Sequence, residues 1–329
     1  MTTYKEIRGT HILSVTSDPP SPANGQMWYN STDKVVKGFT SSPAGTWSTG
    51  SSLNTARSFL GGAGANTEAA LAFGGGPPPA PSAKNNTESW NGSSWTEVNN
   101  LNEAKAFVAG AGTYTSAIAA GGDQYSGTAE SWNGSSWTNI TDETPNAGNG
   151  YGSAGADSED ALFFGGGPAG TVGVNRYWNG SSWTELGDLN TARANLSGAG
   201  KTYTAALAFG GITNPSTFKQ ETESFNGSSW TEVADMSTGR AYAGSDGTNT
   251  SALVWGGGTP SSTANTELWN GSSWSEQNNL ATARNGLANG GAGADGSSGL
   301  AYGGSTGSDT GSTEEFISPT TSTVTFTVS

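Results

Sequence analysis

Trp90-Asn-Gly-Ser-Ser-Trp95, Trp132-Asn-Gly-Ser-Ser-Trp137, Trp178-Asn-Gly-Ser-Ser-Trp183, Phe225-Asn-Gly-Ser-Ser-Trp230 and Trp269-Asn-Gly-Ser-Ser-Trp274 decide the fold. An aromatic hairpin that returns about every 45 residues marks a repeat architecture rather than one or two ordinary domains. Asn-Gly between two aromatic strands predicts a tight hairpin with a type I′ turn, which needs positive φ at both central residues. Upstream of each hairpin runs an apolar stretch ending in glycines: LAFGGG at 71–76, AIAAGG at 117–122, LFFGGG at 162–167, LAFGG at 207–211 and LVWGGG at 253–258. A sixth, LAYGG at 300–304, precedes Phe316. Farther upstream, a junction such as Leu189-Asn-Thr-Ala-Arg193 leads into small residues through Gly200. The small-residue run suits an innermost strand, where crowding near an axis admits only Gly, Ala and Ser. The glycine-terminated run reads as a buried second strand, and the hairpin as strands three and four.

Composition agrees. The 329 residues include 51 Gly and are only 33% hydrophobic, yet 12 Trp, 11 Phe and 9 Tyr concentrate the apolar surface in rings. Such a chain disfavours helices and suits short strands joined by turns, so the expected class is all-β. Four antiparallel strands cannot bury both faces alone, and radial stacking of such sheets covers them.

The formal charge of −14 opposes direct nucleic-acid binding. With no Cys there is no disulfide, thiolate metal site or Cys nucleophile, and the one His, His11, excludes a histidine metal cluster within one chain. No apolar run reaches bilayer-spanning length and no signal peptide is evident, so a soluble chain without membrane insertion is expected.

The di-glycine closing strand two, with spaced aromatics on strands three and four, resembles the kelch family over residues 47–316. It differs in placing Trp90, Trp132, Trp178 and Trp269 where Tyr is common. The resemblance implies a kelch-like β-propeller of four-stranded blades. Two closures fit the ends. In the favoured one, Trp47, whose segment through Arg57 matches Trp183 to Arg193, supplies the missing outer strand of the last of six blades. In the other, strands near Ile12–Val15, Met27–Asn30, Val35–Phe39 and Thr46–Ser48 form a seventh blade, and Thr323–Val328 completes the sixth. The expected organisation is an N-terminal strand and hairpin segment (1–46), the propeller (47–316) and a C-terminal strand or tail (317–329).

Arg57, Lys105, Arg193, Arg240 and Arg284 occupy the junction before strand one. Glu88, Glu130, Glu223, Glu267 and Glu314 stand two residues before the first hairpin aromatic. Both positions fall at one end of an up-and-down sheet, so pairing within or between blades is predicted. In the third repeat the basic position is Gly148 and the acidic one Arg176; both charges change together.

Residues 20–39, which include Gly25-Gln-Met-Trp-Tyr-Asn30, resemble a hairpin segment of tail-associated and fibre-like bacteriophage proteins, marine ones in particular. That likeness implies a virion component, attached to other virion proteins through residues 1–40 and oligomeric within the particle. The expected function is a non-catalytic binding or structural module that contacts a host-surface glycan or protein, or another virion protein. A purely architectural subunit and a carbohydrate-active enzyme are the alternatives.

Recognition is expected on the variable loops between di-glycine and strand three, at Pro78, Tyr125, Phe218 and Pro260. Copper chemistry of the galactose-oxidase kind lacks its Cys and His ligands, and the arginines a sialidase centre would need sit at repeat junctions; no catalytic residue, metal or cofactor is therefore expected. Asp157, Glu159 and Asp160, and Asp295 with Asp309, form acidic clusters that could hold Ca²⁺ but read first as solvated loop charge. The Asn-Gly-Ser strings are formal glycosylation sequons that the turn requirement already explains.

Overall fold

The structure, a computed structural model, describes residues 12–20, 25–41, 44–76, 82–122, 127–141, 150–167, 171–213, 217–288, 295–318 and 321–326. Among these every regular element is a strand. The chain divides into a larger unit, 46–318, and a smaller one that joins 1–45 to 319–329.

The larger unit repeats one four-stranded antiparallel sheet. Sheet I comprises Gly61–Asn66, Ala69–Phe73, Thr87–Trp90 and Trp95–Val98, in that spatial order. Sheet II has Ala109–Gly112, Ala117–Ala120, Ala129–Trp132 and Trp137–Ile140; sheet III has Gly152–Asp157, Asp160–Phe164, Asn175–Trp178 and Trp183–Leu186. Sheet IV is built from Ser197–Thr202, Ala205–Phe209, Thr222–Phe225 and Trp230–Val233, and sheet V from Gly244–Gly247, Ala252–Trp255, Thr266–Trp269 and Trp274–Gln277. Sheet VI shows Ser298–Tyr302 and Thr313–Ile317, and its outer strand is Thr46–Gly50, from the other end of the chain. Phe316 pairs there with Trp47. These sheets are consistent with a β-propeller.

The seams between sheets are aromatic. A ring on strand two of one sheet meets the strand-four Trp of the next in Phe73–Trp137, Phe164–Trp230, Phe209–Trp274, Trp255–Trp47 and Tyr302–Trp95, with centroids 4.9 to 5.5 Å apart. Trp95, Trp137, Trp274 and Trp47 also donate their indole N–H to Thr313, Thr87, Thr222 and Thr266 of the preceding sheet. Four of these seams therefore couple apolar burial to one satisfied polar group, while the Trp230 indole N–H of the fifth has no partner.

The di-glycines have a second job besides ending strand two. Gly75, Gly166, Gly211, Gly257 and Gly304 donate their amides to the carbonyls of Lys105, Arg193, Arg240, Arg284 and Arg57, the junction residues of the next repeat. At Gly74, whose φ is +63°, a Cβ would come within 2.7 Å of the Lys105 carbonyl oxygen, so only glycine permits that approach.

The hairpins differ from the type I′ expectation. Trp90 pairs directly with Trp95, leaving a four-residue loop. The Asn91 carboxamide oxygen accepts the amides of Ser93 and Ser94 at 3.1 and 2.9 Å. Positive φ is confined to the glycine, at +87° for Gly92, and the other four copies repeat it at Gly134, Gly180, Gly227 and Gly271. The asparagine side chain builds the turn that its backbone was expected to build.

In the smaller unit Leu13–Val15 lies parallel to Met27–Asn30, which pairs with Val35–Ser41, which in turn pairs with Thr321–Phe326. The C-terminal strand thus joins the N-terminal hairpin and does not complete sheet VI, which overturns the strand assignment of the seven-blade alternative. Trp28 is fully buried and donates to Asp18, which also accepts from Asn30 and Lys37. Those three donors hold the Asp18 carboxyl at about 2, the Lys37 bond contributing most.

Candidate functional site

The junction that precedes each inner strand carries two layers of residues. The outer layer is ionic. Arg57 meets Glu88 at 3.1 Å, Arg193 meets Glu223 at 2.8 Å and Arg284 meets Glu314 at 3.0 Å; Arg240 bonds Glu267, and Lys105 stands 4.0 Å from Glu130. All five pairs lie within one repeat. Arg57 and Glu88 are both wholly buried. Burial pushes the Arg57, Arg193, Arg240 and Arg284 guanidiniums down from their usual value, and the glutamate beside each opposes that shift.

Each pair does more than balance charge. Glu88 accepts the backbone amides of Asn54 and Thr55 and the Asn54 carboxamide, while Arg57 donates to the Asn86 and Ala72 carbonyls. Glu130 and Glu223 hold Asn102 and Asn190 in the same way. The pair ties the linker from one sheet into the strands of the next, which gives these buried charges a structural role. Sheet III has Arg176 at the acidic position, and Gly148 lies outside the described residues.

The inner layer was not anticipated from sequence. Two residues beyond each junction cation stand Phe59, Phe107, Asn195, Tyr242 and Gly286, and Gly150 takes the equivalent place in the third repeat. All six have left-handed backbone, with φ of 54°, 55°, 56°, 59°, 63° and 69° respectively. Their amides and carbonyls form a chain that crosses from repeat to repeat. Phe107 donates to Phe59, Phe59 to Gly286, Gly286 to Tyr242, Tyr242 to Asn195 and Asn195 to Gly150, at 2.7 to 3.0 Å. Left-handed backbone at a bulky residue costs roughly 1–3 kcal/mol, and those inter-repeat hydrogen bonds hold it in place.

These six residues line a cavity of about 40 Å³. The Phe59 ring lies 4.4 Å from Phe107, tilted by 33°, and 5.6 Å edge-on from Tyr242. Asn195 donates its carboxamide to the Tyr242 hydroxyl at 3.1 Å. Burial pushes the Tyr242 phenol up from its ordinary value, with the Asn195 bond acting against it. The four side chains are half-buried, so rings and polar groups meet solvent at the mouth. The only sequence signal for this layer is a position that alternates among aromatic, Asn and Gly inside an otherwise constant junction.

The loops after strand two open at the same end of the sheets. Phe218 sits half-buried on Thr217–Phe218, paired with Ile212, beside Gly258 of the next repeat; Pro260 is exposed. Pro78 and Tyr125 lie outside the described residues. Charges here are matched: Lys84 reaches Asp309 at 3.6 Å and Lys219 reaches Glu221 at 2.7 Å. Asp309 also accepts the Ser58 hydroxyl, whereas Asp295 precedes the other end of Ser298–Tyr302 and accepts the Ser297 amide. The structure therefore separates Asp295 from Asp309, because strand Ser298–Tyr302 runs between them. Asp157 accepts the Glu159 amide within its own turn, and Asp160 accepts the Tyr203 amide of the next repeat. Among the described residues no group of three or more His, Cys, Asp or Glu could hold a metal ion.

No protein-family model matches the chain, and no curated protein matches it.

Proposed function

We propose that the larger unit is a kelch-like β-propeller of six blades, serving as a non-catalytic binding module that recognises its partner on the variable-loop face. The observation that carries this reading is the convergence of equivalent residues from six repeats on one apolar cavity, at the end where the divergent loops open. A rigid scaffold whose loops vary while its seams repeat is the arrangement recognition uses. The Tyr302–Trp95 contact and the Trp95–Thr313 hydrogen bond, which link sheet VI to sheet I, support closure after six. The polar groups of highest burial are occupied with the linkers, which supports binding over catalysis.

The setting we propose is a bacteriophage virion, in a tail-fibre-like or decorating position, with the smaller unit as the attachment to other virion proteins. Its support is the Met27-Trp28-Tyr29-Asn30 hairpin resemblance and the exposed Ile12, Leu13 and Phe326 on the edge strands of that unit. The partner of the loop face is a host-surface glycan or protein. Screening the full chain against host cells and a glycan panel tests this: saturable binding that loop substitutions such as Phe218→Ala weaken is expected. Binding that survives replacement of every loop but is lost with residues 1–40 would assign the chain a purely architectural role.

A further inference from the structure

We infer that the axial ring is a subsite for one uncharged pyranose unit at the end of a glycan, an assignment that rests on the binding-module reading above. The C–H groups on one face of a pyranose carry partial positive charge and settle against the negative faces of aromatic rings. Phe59, Phe107 and Tyr242 supply such rings together at the mouth, from three different repeats. Hydroxyl recognition is present beside them. Asn195 donates to the Tyr242 oxygen, which leaves the phenolic proton to donate outward to a sugar hydroxyl.

Charge narrows the ligand class. None of the six ring residues is ionisable as a cation or carboxylate, and the neighbouring Lys84 and Lys219 are already matched by Asp309 and Glu221. With a net charge of −14 the molecule repels sialylated or sulfated sugars, and no unmatched carboxylate in the ring favours an amine. Size narrows it again. A cavity of about 40 Å³ accepts a small substituent such as a hydroxymethyl or the methyl of an N-acetyl group, so the sugar ring rests on the aromatics at the entrance.

Backbone conformation gives the site its own controls. Gly150 and Gly286 occupy ring positions equivalent to Phe107 and Phe59, so Phe107→Gly and Phe59→Gly remove a side chain and keep the left-handed backbone easy to adopt. The full chain and its variants are titrated by calorimetry against the neutral oligosaccharides retained on a glycan panel, with sialylated and sulfated analogues in parallel. The expected result is binding of neutral glycans, at least a tenfold loss in the Phe59→Gly/Phe107→Gly double variant, a smaller loss in Tyr242→Phe, and no binding of the anionic analogues. Unchanged affinity in the folded double variant overturns the subsite while leaving the binding module intact. Preference for anionic glycans also overturns it, and so does a chain that binds no glycan, whereas the binding-module reading falls only if the loop face binds neither glycan nor host-cell protein. Should the double variant fail to fold, saturation transfer from wild-type aromatic protons to bound sugar decides the matter: transfer weakened by Tyr242→Phe supports the site, and transfer that is absent, or unchanged by that substitution, rejects it.

Discussion

The seam between sheets VI and I sets Ser298–Tyr302 and Thr313–Ile317, from the C-terminal side of the larger unit, against sheet I, whereas the seam between II and III lies between two sheets each built from one continuous stretch of chain. The first carries every device the repeats offer: Tyr302 against Trp95, the Trp95 indole on Thr313, and the Arg57–Glu88 pair beneath. The second has almost none. Strand two of sheet II ends in Ala119-Ala120, Ala129 replaces the threonine, and Trp183 turns to the Thr141 carbonyl instead, while Arg176 replaces the glutamate of sheet III. Tyr151, Phe163 and Trp178 of sheet III fill that seam against alanines. Sheets II and III nevertheless keep the strand-two to strand-three register of sheet I. A chain linker spans both seams, residues 51–60 in the first and 141–151 in the second, so the difference lies in the side chains: Tyr302 and Thr313 engage Trp95 in one, and the rings of sheet III fill the other.

Substitutions can break that contrast. Trp95→Ala removes a buried ring and its hydrogen bond from the seam between sheets VI and I and should cost about 3–5 kcal/mol by denaturant unfolding, with Trp183→Ala costing less than half of that because Trp183 is only partly buried. Equal costs would mean the two seams are held alike. Glu88→Ala strands the buried Arg57 charge and should also cost about 3–5 kcal/mol, while the apolar double replacement Arg57→Met/Glu88→Leu should recover much of it, as sheet III folds without the pair.

Sharpening comes from the seam on the other side of sheet III. Trp230 has a buried indole N–H with no partner; the preceding sheet places Asn175 where sheets I, IV, V and VI place threonine, and the Asn175 amide is turned to the Gly187 carbonyl with its own oxygen unpaired. Asn175→Thr should install the missing acceptor and raise stability by about 0.5–1.5 kcal/mol, read as a higher denaturant midpoint with an unchanged slope. The smallest effect belongs to the smaller unit. Asp18 has a depressed folded value of about 2, so the stability it contributes is fully present above its unfolded value near ~4 and disappears as pH falls through about 2. The Trp28 indole resonance should shift across that window in the wild type and stay flat in Asp18→Asn.

Much of this was legible before any coordinates. The strand order within a repeat, the outer strand supplied by Trp47 and the opposition of Arg57 to Glu88 can be read from aligned repeats, since position in a strand sets which side chains share an end. The turn type was misread because Asn-Gly is compatible with two loop lengths, and the serine amides decide which one the asparagine side chain can cap. The partner of Thr321–Phe326 could not be read at all, because edge pairing across the length of the chain leaves no local pattern.

What the sequence determined alone is therefore local and periodic: strands, glycine stops, aromatic hairpins and the spacing of opposite charges. Tertiary structure alone decided the layer of residues around the cavity. Phe59, Phe107, Asn195 and Tyr242 look like unrelated substitutions at one junction position until the repeats converge, because their left-handed backbone is held by hydrogen bonds that each repeat receives from its neighbour and cannot make by itself.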